Sequence, residues 1–151
     1  MKVSIPLLCG LGLLPTTRRN VTSTQVQLEL GGKVSNTTVI YGPQDHRYAE
    51  ATARWSSFAM PHVQVVVEPT QESDVSTIVE YCNENNIDFL AINRGHGHSA
   101  SLGTFNGIQI NVGKLDNIDI QPGGNSVWFG GGVFGGLVSK TLWENDYVAT
   151  T

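Results

Sequence analysis

One six-residue run in this chain combines a fixed positive charge, two imidazoles, a hydroxyl group and two glycines. The run reads Arg94-Gly95-His96-Gly97-His98-Ser99. Glycine lets a backbone approach a bound group closely and adopt positive φ, so consecutive N–H groups can converge on an anion. A neighbouring guanidinium and a hydroxyl group add hydrogen bonds to the same anion. The run therefore predicts an anion-binding turn, in preference to a solvated surface loop.

The spacing of the two imidazoles raises a metal site as an alternative. Two histidines at i and i+2 share one face of a strand, and imidazole is a ligand for zinc and copper. A third ligand would have to come from His46 or His62, and neither stands at a spacing typical of metal sites. The glycines on both sides of His96 also disfavour strand geometry. We therefore expect no metal site, and the sequence identifies no catalytic residue.

Predicted strands and helices alternate along the chain and must position this turn. Strands are predicted over residues 37–41, 63–67, 87–92, 108–112, 118–120 and 127–129, helices over 70–84 and 133–145, and a helix or irregular turn over 46–58. This order predicts an α+β or α/β fold with a mixed sheet and flanking helices, and of the two we expect the α+β class. The apolar run that ends at Ile92 predicts a buried strand directly before the turn, and Trp55 is expected to pack inward.

The helix over residues 70–84 has the clearest pattern. Thr70 is expected to cap its N-terminus, where acidic side chains are favourable. Apolar side chains recur at i, i+3, i+4 and i+7, which is the spacing of one buried helix face. Those expected to be buried are Val75, Ile78, Val79 and Cys82, and those expected to be exposed are Glu72, Glu80 and Glu84.

A second glycine cluster, residues 130–135, matches the G-x-G-x-x-G pattern of dinucleotide-binding turns between a strand and a helix. The acidic ribose ligand of that motif would fall about twenty residues later, near Thr150. A nicotinamide-binding domain that started this late would have almost no room in the given sequence, and the earlier strand–helix–strand unit has no such glycines. We therefore do not expect a nicotinamide-binding domain at this position.

Four landmarks, taken in order, resemble a known family. They are the strand and proline over residues 63–69, the Glu-Ser-Asp-Val helix start at 72–75, the arginine–glycine turn after Ile92, and the strand with its Leu-x-x-Ile continuation over 107–118. The ordered set resembles the first part of the FAD-binding domain of the vanillyl-alcohol oxidase and berberine-bridge-enzyme superfamily. The resemblance implies a truncated PCMH-type FAD-binding fold.

The resemblance also implies a cofactor and a reaction. FAD would be the cofactor, with its pyrophosphate at the turn from Arg94 to Ser99. Many members bond a histidine of this turn to the flavin, but the run departs from the family's Arg-x-Gly-Gly-His-Ser, so both His96 and His98 are candidates. The full-length enzyme would transfer a hydride from an alcohol, a sugar or a related small substrate to the flavin. The alternative is a non-catalytic remnant or binding module that does not turn over.

The rest of the sequence indicates the limits of the domains and the cellular location of the protein. Residues 1–17, a positive start followed by a short apolar run, are expected to be a signal peptide, followed by a lead-in over 18–58 and a partial FAD-binding domain over 59–151. The sequons at Asn20 and Asn36 fit secretion; the alternative is a cytoplasmic protein. A net charge of −4 argues against nucleic-acid and anionic-membrane partners. Because family members run to several hundred residues, we expect a fragment that binds FAD weakly and exposes apolar parts of the helix at 133–143.

Overall fold

The computed structural model describes residues 18–148, so the predicted signal peptide lies outside the described residues. In chain order the elements are α1 (Ser23–Leu30), β1 (Val39–Tyr41), α2 (Tyr48–Ala51), β2 (His62–Glu68), α3 (Glu72–Glu84), β3 (Asp88–Ile92), β4 (Asn106–Asn111), β5 (Ile118–Ile120), β6 (Val127–Phe129) and α4 (Gly135–Glu144). Short 3₁₀ turns lie at Ala100–Thr104 and Val112–Lys114. None of the helices within 18–148 is long and apolar enough to span a bilayer.

The main sheet is mixed, as the sequence predicted. Its strand order is β1-β2-β4-β3, with β1 antiparallel to β2 and the other two pairings parallel. On β4, Ile110 lies beside Val67 of β2 and beside Ala91 of β3. β2 and β3 therefore do not pair, although α3 directly connects them. β5 and β6 form a separate antiparallel pair.

Each face of this sheet is covered by a different part of the chain. One face packs against α1 and α3, and its core contains Val26, Leu30, Val65, Val67, Ile78, Tyr81, Cys82, Ile108 and Ile110. On the other face, Tyr41, Val63 and Val66 pack with Tyr48, Ala51 and Phe105. The N-terminal segment that the sequence predicted as a lead-in, residues 18–58, thus contains α1, β1 and α2 and packs on both faces of the sheet.

The predicted amphipathic helix forms with small differences. It begins at Glu72, so Gln71 occupies the N-cap position and the prediction of Thr70 as cap is wrong. Thr70 instead forms hydroxyl hydrogen bonds with Ser35 and Thr37. These bonds fasten the segment before α3 to the segment before β1.

The burial of α3 follows the predicted period, shifted slightly around the helix. Ile78 and Cys82 are buried and the three glutamates are exposed, as predicted, whereas Val75 and Val79 are only half-buried. Burial raises the pKa of the Cys82 thiol to about 12. Asp74 and Tyr81 are buried although the apolar pattern did not include them.

Asp74 remains ionised in its buried position because of its hydrogen bonds. Burial raises the pKa of this carboxyl group, but the Thr38 hydroxyl, at 2.6 Å, and the Ser35 N–H, at 3.0 Å, donate to it and lower the pKa further than burial raises it. Asp74 therefore connects the start of α3 to the loop before β1.

Two predictions of burial are wrong. β3 is an edge strand with alternating half-buried and exposed residues, because β4 covers only one of its sides. Trp55 has 75% of its surface exposed. Its indole lies outside the core because residues 52–61 are irregular and follow the surface after the one-turn helix α2.

Acid is expected to destabilise the fold through Glu29 on α1. Its carboxylate accepts hydrogen bonds from Arg19 at 2.8 Å and Tyr81 at 2.7 Å, and its pKa is lowered to about 2 from an ordinary 4.5. A carboxyl group with a lowered folded pKa stabilises the fold above its unfolded pKa, and this contribution is lost as the pH falls through the folded pKa. We expect the thermal midpoint to fall between pH 4.5 and 2, and to fall less steeply in Glu29→Gln. Parallel pH profiles of the two proteins would contradict this.

Candidate functional site

A cleft of about 620 Å³ lies where the parallel strands β2, β3 and β4 end. It is lined by Tyr41, Arg47, Glu50, Ala51, Ala53, Arg54, Trp55, Glu68, Ile92, Asn93, Arg94, His96, Asn111, Gly113 and Lys114. Ligands of open parallel sheets bind outside the carboxyl ends of the strands. The strand ends, and not any one loop, therefore define this cleft.

The turn predicted from the sequence forms one wall of the cleft. It follows β3 directly and contains no helix. Gly95 has φ +70°, and a Cβ atom there would lie 3.0 Å from the Ala53 carbonyl oxygen. The Gly95 carbonyl accepts a hydrogen bond from the Trp55 N–H at 3.2 Å. Glycine is required here by both the backbone conformation and the close approach of residues 53–55.

The main-chain donors of the turn are free. Within residues 18–148, no N–H group from Gly95 to Ser99 donates a hydrogen bond to another protein atom. Buried or cleft-facing N–H groups normally find a partner in protein, water or ligand. A run of free donors after a glycine at positive φ is the arrangement that binds anions.

The two histidines of the turn differ in their surroundings. The His96 ring lines the cleft and lies edge-on to the Trp55 indole, with ring centroids 6.4 Å apart. The Nδ1 atom of His98 lies 3.3 Å from the His96 carbonyl oxygen, and its side chain is exposed. The Ser99 hydroxyl accepts a hydrogen bond from the Ser101 N–H and so caps the next 3₁₀ turn.

Arg94 is held by an aromatic ring and not by a carboxylate. Its guanidinium carbon lies 4.1 Å from the centre of the Phe134 ring. The preceding residue, Asn93, donates from Nδ2 to the carbonyl oxygens of Gly131 at 3.2 Å and Val133 at 2.8 Å. The segment before α4 is thus fastened to the end of β3, where it holds Phe134 against Arg94.

The glycines of this second cluster are explained by packing. A Cβ atom at Gly130 would overlap the Leu115 carbonyl oxygen, and one at Gly132 would overlap that of Val112. The N–H of Gly132 donates to the Leu115 carbonyl at 2.8 Å. Within residues 18–148, β6, which precedes the cluster, pairs with antiparallel β5 alone. Close backbone packing therefore accounts for Gly130 and Gly132.

The opposite wall of the cleft contains neutralised charges. Lys114 Nζ lies 3.0 Å from Glu68 Oε2, while Tyr41 donates to Glu68 Oε1 at 2.8 Å. Arg47 forms two hydrogen bonds to Asp45 and lies over the Tyr41 ring. Burial and the hydrogen bond to Glu68 raise the pKa of Tyr41. This phenol is therefore a proton donor at neutral pH and not a base.

The floor of the cleft contains a half-buried arginine. Arg54 donates to the Oε1 atom of Gln109 at 2.6 Å and to the Thr52 carbonyl oxygen at 2.9 Å. Gln109 is fully buried on β4 and donates from Nε2 to the Ala51 carbonyl at 2.7 Å. Burial lowers the pKa of Arg54. Sequence reasoning missed this pair, and a glutamine between two isoleucines of a core strand was the available signal.

His62 and His96, two of the histidines considered above as metal ligands, lie at opposite ends of the sheet. Within residues 18–148, no three His, Cys, Asp or Glu side chains are grouped so as to hold a metal ion. His62 begins β2 and lies level with the start of β3, whereas His96 follows the end of β3. His62 is therefore at the opposite end of the sheet from the turn.

The cleft also contains an unsatisfied polar atom. Asn93 Oδ1 is the one buried side-chain oxygen or nitrogen within residues 18–148 that has no hydrogen-bond partner. It lies beside Arg94 on the cleft wall. A ligand that presents an anion to the turn and a hydroxyl or amino donor to Asn93 would satisfy both groups. A dinucleotide with a diphosphate and sugar hydroxyls fits this donor and acceptor set.

Comparisons with known proteins agree with this chemistry. Residues 63–151 match the family model described as an FAD binding domain. Among curated proteins, the chain is 49% identical over 135 residues to the FAD-linked oxidoreductase iacH of Pestalotiopsis fici, covering 89% of this chain and 26% of that one. It is 44% identical over 151 residues to the FAD-linked oxidoreductase anuG of Penicillium roqueforti, covering 30% of that protein. The chain therefore spans less than a third of these relatives.

Solved structures show the same fold. The wild-type BBE-like 1 protein of Physcomitrella patens superposes with a TM-score of 0.67 at 17% identity, covering 83% of this chain and 26% of that chain. For 6-hydroxy-D-nicotine oxidase of Arthrobacter nicotinovorans the TM-score is 0.63 at 20% identity, covering 72% of this chain and 24% of that chain. At these identities the likeness concerns the fold alone.

Proposed function

Because the chain belongs to the FAD-binding-domain family, in which its relatives are FAD-linked oxidoreductases, we propose that its cleft holds FAD with the pyrophosphate at the turn from Arg94 to Ser99. The observation that carries this proposal is the run of free N–H donors that follows Gly95 at positive φ. The Arg94 guanidinium adds positive charge on the same wall. Asn93 Oδ1 is then available to accept from a ribose or ribityl hydroxyl.

For the full-length protein, we propose oxidation of an alcohol, a sugar or a related small molecule. When bound, FAD supplies a ring that accepts a hydride from the substrate. The residues of this chain bind and orient that cofactor, and the described part provides no side chain to which proton abstraction is assigned. The alternative is a binding module without turnover. The observation that bears on it is the apolar surface of Trp128 and Trp143, which are 69% and 75% exposed and could contact another chain.

We propose His98 as the residue for covalent attachment. It takes the histidine position when the run from Arg94 to Ser99 is read against the family's Arg-x-Gly-Gly-His-Ser, and His96 then replaces a glycine. His96, whose ring lines the cleft edge-on to Trp55, is the alternative attachment site.

Incubation of the chain with FAD tests the cofactor and its attachment together. We expect reversible binding in the micromolar range, because the turn and Arg94 are exposed and burial supplies much of a cofactor's affinity. A small fraction of the flavin is expected to remain after denaturation. His98→Ala should lose this fraction and keep reversible binding, while His96→Ala should keep both.

The measurement is flavin fluorescence, first in an equilibrium titration and then on the denatured chain. Covalent flavin that is lost in His96→Ala and kept in His98→Ala would contradict the attachment site. No binding at millimolar FAD would overturn the proposed cofactor itself.

We also propose that the protein is secreted. The sequon residues Asn20 and Asn36 are both exposed, which suits glycosylated positions. Expression in a eukaryotic secretion host tests this, since a glycosylated product in the medium supports it and an unmodified intracellular product contradicts it.

A further inference from the structure

Four basic side chains line the cleft, and they differ in how their charge is balanced. Arg47 and Lys114 each have a carboxylate oxygen within 3.0 Å. Among the described residues, Arg54 and Arg94 have no carboxylate within 4.0 Å. The one other acidic group on the lining besides Glu68 is Glu50, which pairs with neither arginine. The cleft therefore contains two arginine charges that the protein does not neutralise.

Of these two arginines, Arg54 has the larger free-energy cost of desolvation. Its guanidinium is half-buried, and its bonding partners are neutral, namely two main-chain carbonyl oxygens and the amide of Gln109. A buried charge that is balanced only by dipoles loses hydration without gaining an ion pair. An anionic ligand in the cleft would supply the missing partner.

The backbone places Arg54 next to the turn. The Trp55 N–H donates to the Gly95 carbonyl, and a Cβ atom at Gly95 would lie 3.5 Å from Arg54 Cδ. Arg54 and Arg94 also both line a smaller cavity behind the turn, of about 310 Å³. The buried Gln109 orients the Arg54 guanidinium, because the side-chain amide of Gln109 is itself held by a hydrogen bond to the Ala51 carbonyl oxygen.

We propose that Arg54 is a second binding residue for the diphosphate of the cofactor, acting together with Arg94 at the turn. This inference rests on the proposed function, because it takes the ligand to be FAD. The planar guanidinium has donors left for a phosphate oxygen after its bonds to Gln109, Thr52 and Ala53, since it presents five N–H groups. Gln109 is a positioning residue, since it orients Arg54 without lining the cleft.

The experiment compares Arg54→Gln with Arg47→Gln in the full chain. Arg47 lines the same cleft, but Asp45 already neutralises it. Each protein is titrated with FAD, ADP and riboflavin at two salt concentrations. Riboflavin carries the flavin ring without phosphate, and ADP carries a diphosphate without the ring.

We expect Arg54→Gln to weaken FAD and ADP binding by about tenfold or more, because a hydrogen bond to a charged group is lost. Riboflavin binding should stay within about twofold, and the salt dependence of FAD binding should become shallower. Arg47→Gln should leave FAD binding within about twofold. Arg54→Lys, which keeps the charge but not the fork, should keep the salt dependence at intermediate affinity.

Failure of the Arg54 proposal and failure of the proposed FAD binding give different results. If Arg54→Gln weakens riboflavin and FAD equally, or leaves FAD unchanged, Arg54 supports only the local loop and this proposal is overturned while FAD binding stands. If the unmodified chain binds none of the three ligands, the proposed function fails first. If Arg54→Gln does not fold, Arg54→Lys decides, since FAD and ADP affinities within about twofold of those of the unmodified chain would show that the guanidinium of Arg54 does not bind the diphosphate and would contradict the proposal.

Discussion

Replacing Gly107 by alanine is expected to remove most of the chain's folding stability. Gly107 lies on β4 opposite Asp88 of β3, and a Cβ atom there would overlap the Asp88 carbonyl oxygen. The obstructing atom is backbone in a paired strand, so it cannot move away without breaking the pairing. We expect a loss of more than about 4 kcal/mol, in the range reserved for severe core disruption. Natural domains have only about 5–15 kcal/mol of stability.

Gly135→Ala is the matched control. No atom lies within 4 Å of a Cβ atom at Gly135, which begins α4. Alanine favours the helix over glycine, so the control is expected to be neutral or stabilising by up to about 1 kcal/mol. Urea unfolding followed by circular dichroism measures both. Equal unfolding midpoints for Gly107→Ala and the unmodified chain would show that β3 and β4 are not paired as described.

Replacing Gly95 by alanine is expected to abolish measurable FAD binding while the chain remains folded. At φ +70°, an alanine costs about 1–2 kcal/mol in backbone strain. Its Cβ atom, 3.0 Å from the Ala53 carbonyl oxygen, would also push the turn away from residues 53–55. The N–H groups would then no longer converge. The stability change is modest, whereas the binding change is large.

Gly95→Asn provides the comparison, because asparagine tolerates this backbone conformation better than alanine. We expect its FAD affinity to fall between those of alanine and glycine. Thermal unfolding and FAD titration are measured on the same samples. Full FAD affinity in a folded Gly95→Ala chain would show that the conformation of the turn does not matter for the cofactor.

Local sequence patterns predicted much of this molecule, because local forces dominate at those positions. The 3.6-residue period placed α3, and its buried residues Ile78 and Cys82, because one face of a helix must meet the sheet. Likewise, the run at 94–99 was identified as a glycine turn after a strand, since few other structures use glycine and charge so densely. The fold class followed from the order of these elements and from the family resemblance.

The errors arose where partners distant in sequence decide the outcome. An apolar run such as Phe89 to Ile92 suits a central strand, and only the insertion of β4 beside it makes β3 an edge. Trp55 appeared to be a core residue from its type alone. The bond between Arg54 and Gln109 joins residues 55 positions apart, so no local period signals it. Helix α1 was not predicted because its apolar residues, Val26, Leu28 and Leu30, alternate with polar residues, which is the period of a strand and not of a helix.

The position of β4 between β2 and β3 also sets the order in which the molecule can fold. α3 and β3 emerge from the ribosome before β4, and β3 pairs with no strand until residues 106–111 have followed. These strand pairings form only when the loops between the strands close, and proteins dominated by such non-local pairings fold slowly. The turn at 94–99 therefore gains its final geometry late, after the chain has passed it. During synthesis, FAD would meet a finished binding turn only once β4 is in place.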